Sequence, residues 1–291
     1  MTRPRARVFP PLDPRTYARR AQRELPFPLE EERCRIFHLA RHGLVRGLTA
    51  LGLRPGDQVL APAYHHGSEI EALVRSGLGC RFYEATETLA PDPDELEASL
   101  GPRVRALHLI HYLGFPQDAV RWRRWCDERG LLMIEDAAQA WLAGAERPVG
   151  SLGDLAIFSL YKTLGVPGGG AVVCAAPLPA PGGRPALHAA RLAKAHRSWV
   201  ALRWPRLAHP RQVRSGPPGG GVGEGEFAVG DPDTPPSMLT RFLLRRLEPA
   251  GAPERRRQNY RFLLDRLGGL VPPPFADLPG GASPFAFPVA V

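Results

Sequence analysis

The sequence predicts an α/β protein: a mainly parallel sheet flanked by helices on both faces. Three observations carry this. Short apolar strands and amphipathic helices alternate in strict order from about residue 40 to residue 175, the pattern of parallel strands joined by crossover helices. The polar clusters all fall where a predicted strand ends, and the carboxyl ends of strands are where such sheets bind ligands. With 291 residues, the chain is long enough for one large domain and a smaller appendage.

Residues 1–30 read as an extended arm, because Pro4, Pro10, Pro11, Pro14, Pro26 and Pro28 leave little room for a regular element. ARHGLVRGLTALGL (40–53) has helical apolar spacing and stops at Gly52. RPGD then turns the chain into the buried strand QVLAPAY. SEIEALVRSGL follows as a helix and CRFYEA as a strand. DPDELEASL is a helix opened by Asp92 or Asp94, VRALHLIHYLG a strand, and QDAVRWRRWCDERG a helix closed by Gly130. LLMIEDA, DLAIFSL and GGAVVCA complete the set of strands, with Asp136 suited to cap a helix over AAQAW. Beyond residue 178 the order weakens. One helix is expected around 186–200, and PPGGGVGEGEFAVGDPDTPP reads as a mobile loop. GVGEGE has the look of a nucleotide-binding glycine loop but lacks the preceding strand. Helical periodicity returns in SMLTRFLLRRLEP and APERRRQNYRFLLDRLGGL, and SPFAFPVAV reads as a strand. The resulting division is an arm over 1–30, a large domain over 31–200, a Gly/Pro-rich loop over 201–236 and a helical small domain beginning at 237–291.

A formal charge of +9 and a pI near 10.0 raise the question of nucleic acid. The arginines are scattered, however, and no RNP, helix-turn-helix or zinc-finger pattern accompanies them. Acidic small molecules suit that charge at least as well. Cys34, Cys80, Cys126 and Cys174 are widely spaced with no CxxC, so a reduced cytoplasmic protein without a metal site is expected. The N-terminal arginines are followed by prolines rather than the apolar core of a signal peptide. No apolar run approaches the roughly 18 residues that span a bilayer.

Only two of the 38 Lys and Arg residues are lysines, and one of them is Lys162 in SLYKTLGVPGGGAVV. An amine can lose its proton and form a Schiff base, which a guanidinium cannot. An arginine-biased sequence also keeps some lysines by chance, so Lys162 gains meaning only from its surroundings. IEDAAQA offers Glu135 and Asp136, whose side chains alternate to opposite faces, so only one can enter the crevice. A Schiff-base lysine with an acid beside a pyridinium nitrogen is what pyridoxal phosphate requires. Two phosphate cradles are available: the backbone N–H groups around Ala40, Arg41 and His42, and the hydroxyl of Ser159.

LGLRPGDQVLAPAY, LHLIHYLGFPQD, LLMIEDAAQA, PVGSLGDLAIFSLYK and VPGGGAVV, in that order over roughly 35–175, resemble the DegT/DnrJ/StrS family of sugar aminotransferases. Those are pyridoxal-phosphate enzymes of fold type I. The resemblance implies an aminotransferase that moves an amino group from an amino acid, glutamate foremost, to a nucleotide-linked keto sugar. It implies Lys162 as the Schiff-base lysine and proton carrier, Asp136 on the pyridine nitrogen, and Gln139 on the ring hydroxyl. Ser159 and the amides near Arg41 and His42 would hold the phosphate, and His66 would stack on the ring. His111 matches a strand-end HxxG pattern, with a structural hydrogen bond as its role. A homodimer with small-molecule substrates, and neither nucleic acid nor membrane, completes the implication.

The sequence departs from the family in four places. Lys162 follows the serine by three residues instead of five. The glycine run lacks the acid often placed before GGA. GDPDTPPSMLTR stands where an asparagine-bearing loop is usual, and the chain stops where family members continue their small domain. The alternative is therefore a regulatory or inactive pyridoxal-phosphate-binding module that has lost turnover with its C-terminal domain. A related dehydratase branch carries histidine in place of the lysine, which is present here.

Overall fold

The computed structural model describes residues 10–144, 146–204, 227–249 and 251–290. Seven strands form one sheet: β1 (Cys34–Phe37), β2 (Gln58–Pro62), β3 (Gly79–Tyr83), β4 (Val104–Ile110), β5 (Leu132–Asp136), β6 (Leu155–Ser159) and β7 (Gly170–Cys174), in the order β1-β7-β6-β5-β4-β2-β3. β3, β2, β4, β5 and β6 run parallel, while β7 is antiparallel to both β6 and β1. The helices are α1 (Ala40–Ala50), α2 (Ser68–Arg75), α3 (Pro93–Ala98), α4 (Ala119–Glu128), α5 (Leu160–Thr163), α6 (Ala189–Arg203), α7 (Met238–Leu244) and α8 (Ala252–Leu267).

Alternation along the strands divides the core into two layers. Val59, Ala61, Ile134, Leu155, Ile157 and Val172 pack against Leu44 and Leu48 of α1 and Leu73 of α2. On the other face, Leu60, Leu107, Leu109 and Met133 meet Trp122 of α4, while Ala156, Phe158 and Ala171 meet Leu243 and Leu244 of α7. Helices thus cover both faces, as expected. α1 lies very close to the sheet, since a Cβ on Gly43 would stand 2.0 Å from Val172 Cγ2. Of the two helix starts offered by Asp92 and Asp94, Asp92 is the cap, its Oδ1 accepting the Asp94 and Glu95 N–H groups, and α4 is capped by Asp118, whose Oδ1 accepts the Arg121 N–H. Among the described residues no helix is long and apolar enough to cross a membrane.

Four local expectations are revised. β1 begins only four residues beyond the predicted arm; its partner β7 covers one edge, and so short a strand carries little periodicity of its own. The arm itself holds a 3-10 turn, Pro14–Ala18, capped by Asp13, and Leu12 is fully buried with its N–H on Ala195 of α6. No helix follows Asp136. Residues 138–142 form turns in which Asp136 Oδ1 accepts the Ala138 N–H at 2.8 Å, two residues on, a local turn that competes with helix initiation. Finally, 283–290 form no strand. Pro284 and Pro288 supply no N–H for a ladder, and Ser283 and Phe285 donate instead to Gly114 and Leu113. The GVGEGE segment lies outside the described residues.

Candidate functional site

The ends of β4, β5 and β6 bring the chemical residues together. Asp136 is the last residue of β5, registered between Ile110 and Ile157, and shares its face with Ile134, toward α1. Glu135 points the other way, so the two acids do separate. Glu135 is almost fully buried and accepts N–H groups from Gly150, Leu152 and Gly153 and from His111 Nε2 at 3.0 Å. Because His111 Nδ1 accepts the Gln117 N–H at 3.0 Å, the ring proton is on Nε2. The His111–Glu135 pair is structural: it locks the β4 and β5 ends to the 149–153 turn.

Asp136 is held ionised. Burial, the largest influence, raises its pKa, but His108, the Ala138 N–H and the charge of Lys162 outweigh it and the carboxyl stays below its ordinary range. His108 is fully buried on β4, with Nε2 3.7 Å from Asp136 Oδ2, an electrostatic contact longer than an ordinary hydrogen bond. Neither of its ring nitrogens has a hydrogen-bond partner among the described residues. Lys162, on α5 just beyond β6, is half-buried, with Nζ 5.9 Å from the centroid of the Phe285 ring.

Ser159 ends β6 opposite Gly170 of β7. Residues paired across an antiparallel ladder present their side chains to the same face. On that face a Cβ at Gly170 would lie 2.1 Å from the backbone nitrogen of Ala40, so the bare glycine lets the start of α1 descend beside Ser159. The Ser159 Oγ is buried without a hydrogen-bond partner, and α1 has neither a side-chain cap nor an acid in its first turn. The two cradles read separately from sequence are therefore one place, whose donors suit an anion. Arg41 is half-buried in that first turn. The His42 ring lies elsewhere: it is buried, its Nε2 is 2.7 Å from the Val229 carbonyl, and burial, its largest influence, lowers its pKa.

Gln139 and His66 flank this group. Gln139 Oε1 accepts the Leu113 N–H at 3.0 Å, leaving its amide NH2 for another partner. Leu113, in left-handed backbone at φ 56°, takes the Phe285 N–H on its carbonyl at 2.6 Å. His66 is exposed in the loop after β2, its N–H on Glu69 Oε1 at 2.8 Å and its ring edge-on to Phe227 at 5.5 Å. Tyr112 ties that loop to the β4 end through its hydroxyl on the Tyr64 carbonyl at 2.5 Å. Burial, then the charge of Asp136, pushes the Tyr112 phenol well above its ordinary range. Sequence reasoning passed over His108 and Tyr112. The HLIH spacing offered a signal for His108, since period two sets it on the face of Ile110, beside the strand that ends in Asp136.

Residues 37–180 match the family described as the DegT/DnrJ/EryC1/StrS aminotransferase family. The dTDP-3-amino-3,4,6-trideoxy-alpha-D-glucose transaminase of Streptomyces venezuelae is 38% identical over 137 residues, 45% of this chain and 36% of that protein. The GDP-perosamine synthase of Vibrio cholerae is 32% identical over 130 residues, 43% of this chain and 35% of that protein. These matches therefore span only about a third of the relatives' length. Among solved structures, S. venezuelae DesV in complex with a ketimine intermediate superposes with a TM-score of 0.58 at 26% identity, covering 87% of this chain and 62% of that one. The aminotransferase TlmJ from Streptoalloteichus hindustanus, at 23% identity, has the same fold with a TM-score of 0.60, covering 88% and 65%. With its strand-end blocks matched in order on the shared fold, the chain belongs to the DegT/DnrJ/EryC1/StrS aminotransferase family.

Proposed function

We propose that the protein is a pyridoxal-phosphate-dependent aminotransferase that moves an amino group from an amino acid, with glutamate as the donor, to a nucleotide-linked keto sugar. One observation carries the reading: the charge of Lys162 bears on an ionised, buried Asp136 beside an anion cradle. The unpartnered Ser159 Oγ, the uncapped start of α1 and the bare Gly170 fit a phosphate, and the Asp136 carboxylate fits a protonated ring nitrogen. When bound, the cofactor supplies an electron sink for the carbon that carries the amino group.

The chain's own residues supply the rest. The Lys162 Nζ would hold the cofactor as its amine anchor and, when free, would serve as the base that removes the proton of the donor carbon and as the acid that supplies one to the acceptor carbon. The Asp136 carboxylate, with His108 beside it, would keep the ring nitrogen protonated. Ser159 Oγ and the amides of Ala40, Arg41 and His42 would bind the phosphate, the Gln139 NH2 would meet the ring hydroxyl, and His66 would serve as the ring's stacking partner. Phe285 excludes water on the Lys162 side. On this reading residues 31–200 belong to the cofactor-binding unit and 237–291 to part of a second unit, and the protein acts as a cytoplasmic homodimer; the loop expected over 201–236 begins only after α6 ends at Arg203, and most of it lies outside the described residues.

The test is borohydride reduction of the protein mixed with pyridoxal phosphate, followed by peptide mass mapping, then addition of glutamate to unreduced protein. We expect cofactor fixed on the peptide bearing Lys162, none fixed in Lys162→Ala, and 2-oxoglutarate released by the parent chain. Fixation that survives in Lys162→Ala would sink the assignment. Fixation at Lys162 without release of 2-oxoglutarate would favour the binding module over the enzyme.

A further inference from the structure

Among the described residues, one charge held next to the Lys162 segment has no counter-charge. Arg256, early in α8, is half-buried, and its guanidinium donates to two neutral hydroxyls, Thr163 Oγ1 at 3.1 Å and Ser283 Oγ at 3.3 Å. Among the described residues no carboxylate stands within ion-pair distance of it. Burial pushes its pKa below the ordinary arginine value, and no acid opposes that shift. Arg123 shows what the same fold does with a structural guanidinium: it pairs with Asp154 at 2.6 Å and with Asp127 at 2.8 Å. A desolvated cation without an anion destabilises the free chain, and a ligand oxyanion would relieve that cost.

The position of Arg256 points the same way. Thr163 adjoins Lys162 on α5. Ser283 is fully buried two residues before Phe285, the ring that faces Lys162 Nζ. Arg256 and Lys162 are therefore held by the same two segments. The two hydroxyls fix the guanidinium fork while leaving N–H groups unused, and such a fork matches a carboxylate or phosphate in two-point contact.

We propose that Arg256 is an oxyanion subsite of the active site and that it reads a carboxylate of the amino donor. The carboxylate is favoured over a nucleotide diphosphate because it is attached to the carbon that Lys162 must reach, one residue from the Thr163 contact. The choice of donor rests on the aminotransferase reading above; the subsite itself does not.

The experiment titrates the cofactor-free full chain by calorimetry with glutarate and, separately, with thymidine diphosphate, in the parent, Arg256→Gln and Arg256→Lys. Arg256→Gln should weaken glutarate by at least about tenfold, the loss of one charge-assisted two-point contact. Arg256→Lys, which keeps the charge and loses the fork, should fall between, and it carries the test if the glutamine variant fails to fold. Thymidine diphosphate should bind all three alike. If only thymidine diphosphate is weakened, the subsite stands and its oxyanion is the nucleotide's. Unchanged binding of both probes in the variants, or no binding of either by the parent, overturns the subsite. Borohydride fixation in Arg256→Gln separates the two readings. Fixation at Lys162 with unchanged glutarate affinity removes the subsite and leaves the aminotransferase. No fixation in the parent removes the aminotransferase, while the glutarate titration still decides the subsite.

Discussion

Replacing Glu135 by glutamine sets an amide against four donors. Oε1 accepts the Leu152 N–H at 2.8 Å and that of Gly153, and Oε2 accepts His111 Nε2–H at 3.0 Å and the Gly150 N–H at 3.1 Å. A glutamine presents one carbonyl and one NH2, so in either orientation two donors face a third. His111 cannot switch tautomer to help, because Gln117 already donates to its Nδ1. A hydrogen bond to a charged acceptor contributes about 1.5–3 kcal/mol, so two lost bonds amount to about 3–6 kcal/mol. Removing the charge from so buried a side chain returns part of that as relieved desolvation, leaving a net loss of about 3 kcal/mol. At roughly 2–3 °C per kcal/mol for a chain of this size, the melting midpoint should drop by about 6–9 °C. The assay is thermal and urea unfolding followed by tryptophan fluorescence at several pH values. Burial raises the Glu135 pKa, but His111 and the Leu152 and Gly153 amides outweigh it and lower it overall. Its contribution is therefore present above the ordinary carboxylate range and lost as pH falls through the lowered folded value, so the parent and variant should converge in acid. A difference below about 0.5 kcal/mol at pH 7 would refute the reasoning, since it would place Glu135 among ordinary surface substitutions.

Three further outcomes can be checked with the same instruments. Gly170→Ala puts a methyl 2.1 Å from the Ala40 nitrogen; it should cost about 1–3 kcal/mol by overpacking and weaken pyridoxal phosphate in a spectroscopic titration. Gly268→Ala, with nothing within 4 Å, should be neutral or stabilising by up to about 1 kcal/mol. His108→Leu removes an influence that keeps Asp136 ionised. The depressed pKa of Asp136 supplies stability above its unfolded value that is lost as pH falls through the folded one, so acid unfolding of the variant should begin at higher pH than in the parent.

The sheet was legible because its order is written locally. Six of the strands and the helices between them announce themselves by apolar runs, caps such as Asp92 and stops such as Gly130. β1 is only CRIF, four residues long, and exists because β7 offers it an edge, a fact no window over residues 34–37 contains. The site was legible in part for the same reason: Asp136, Ser159 and Lys162 stand at strand ends, which periodicity locates. That α1 and Ser159 form one cradle depends on the 159–170 ladder and on the glycine opposite. Arg256 was invisible among so many arginines, because what distinguishes it is the absence of an acid and contacts with Thr163 and Ser283, both distant in sequence. The expected strand over SPFAFPVAV failed because its two prolines leave too few donors for a ladder.

The anchoring of Ser283 and Phe285 on Gly114 and Leu113 also sets an order of events during synthesis. Residues 34–174 contain every strand of the sheet, so the scaffold can assemble while the downstream chain is still on the ribosome. The Phe285 ring beside Lys162 joins this scaffold later, when 283–285 emerge and donate to the Gly114 and Leu113 carbonyls beyond β4. Until then the Lys162 amine lacks its contact with the Phe285 ring.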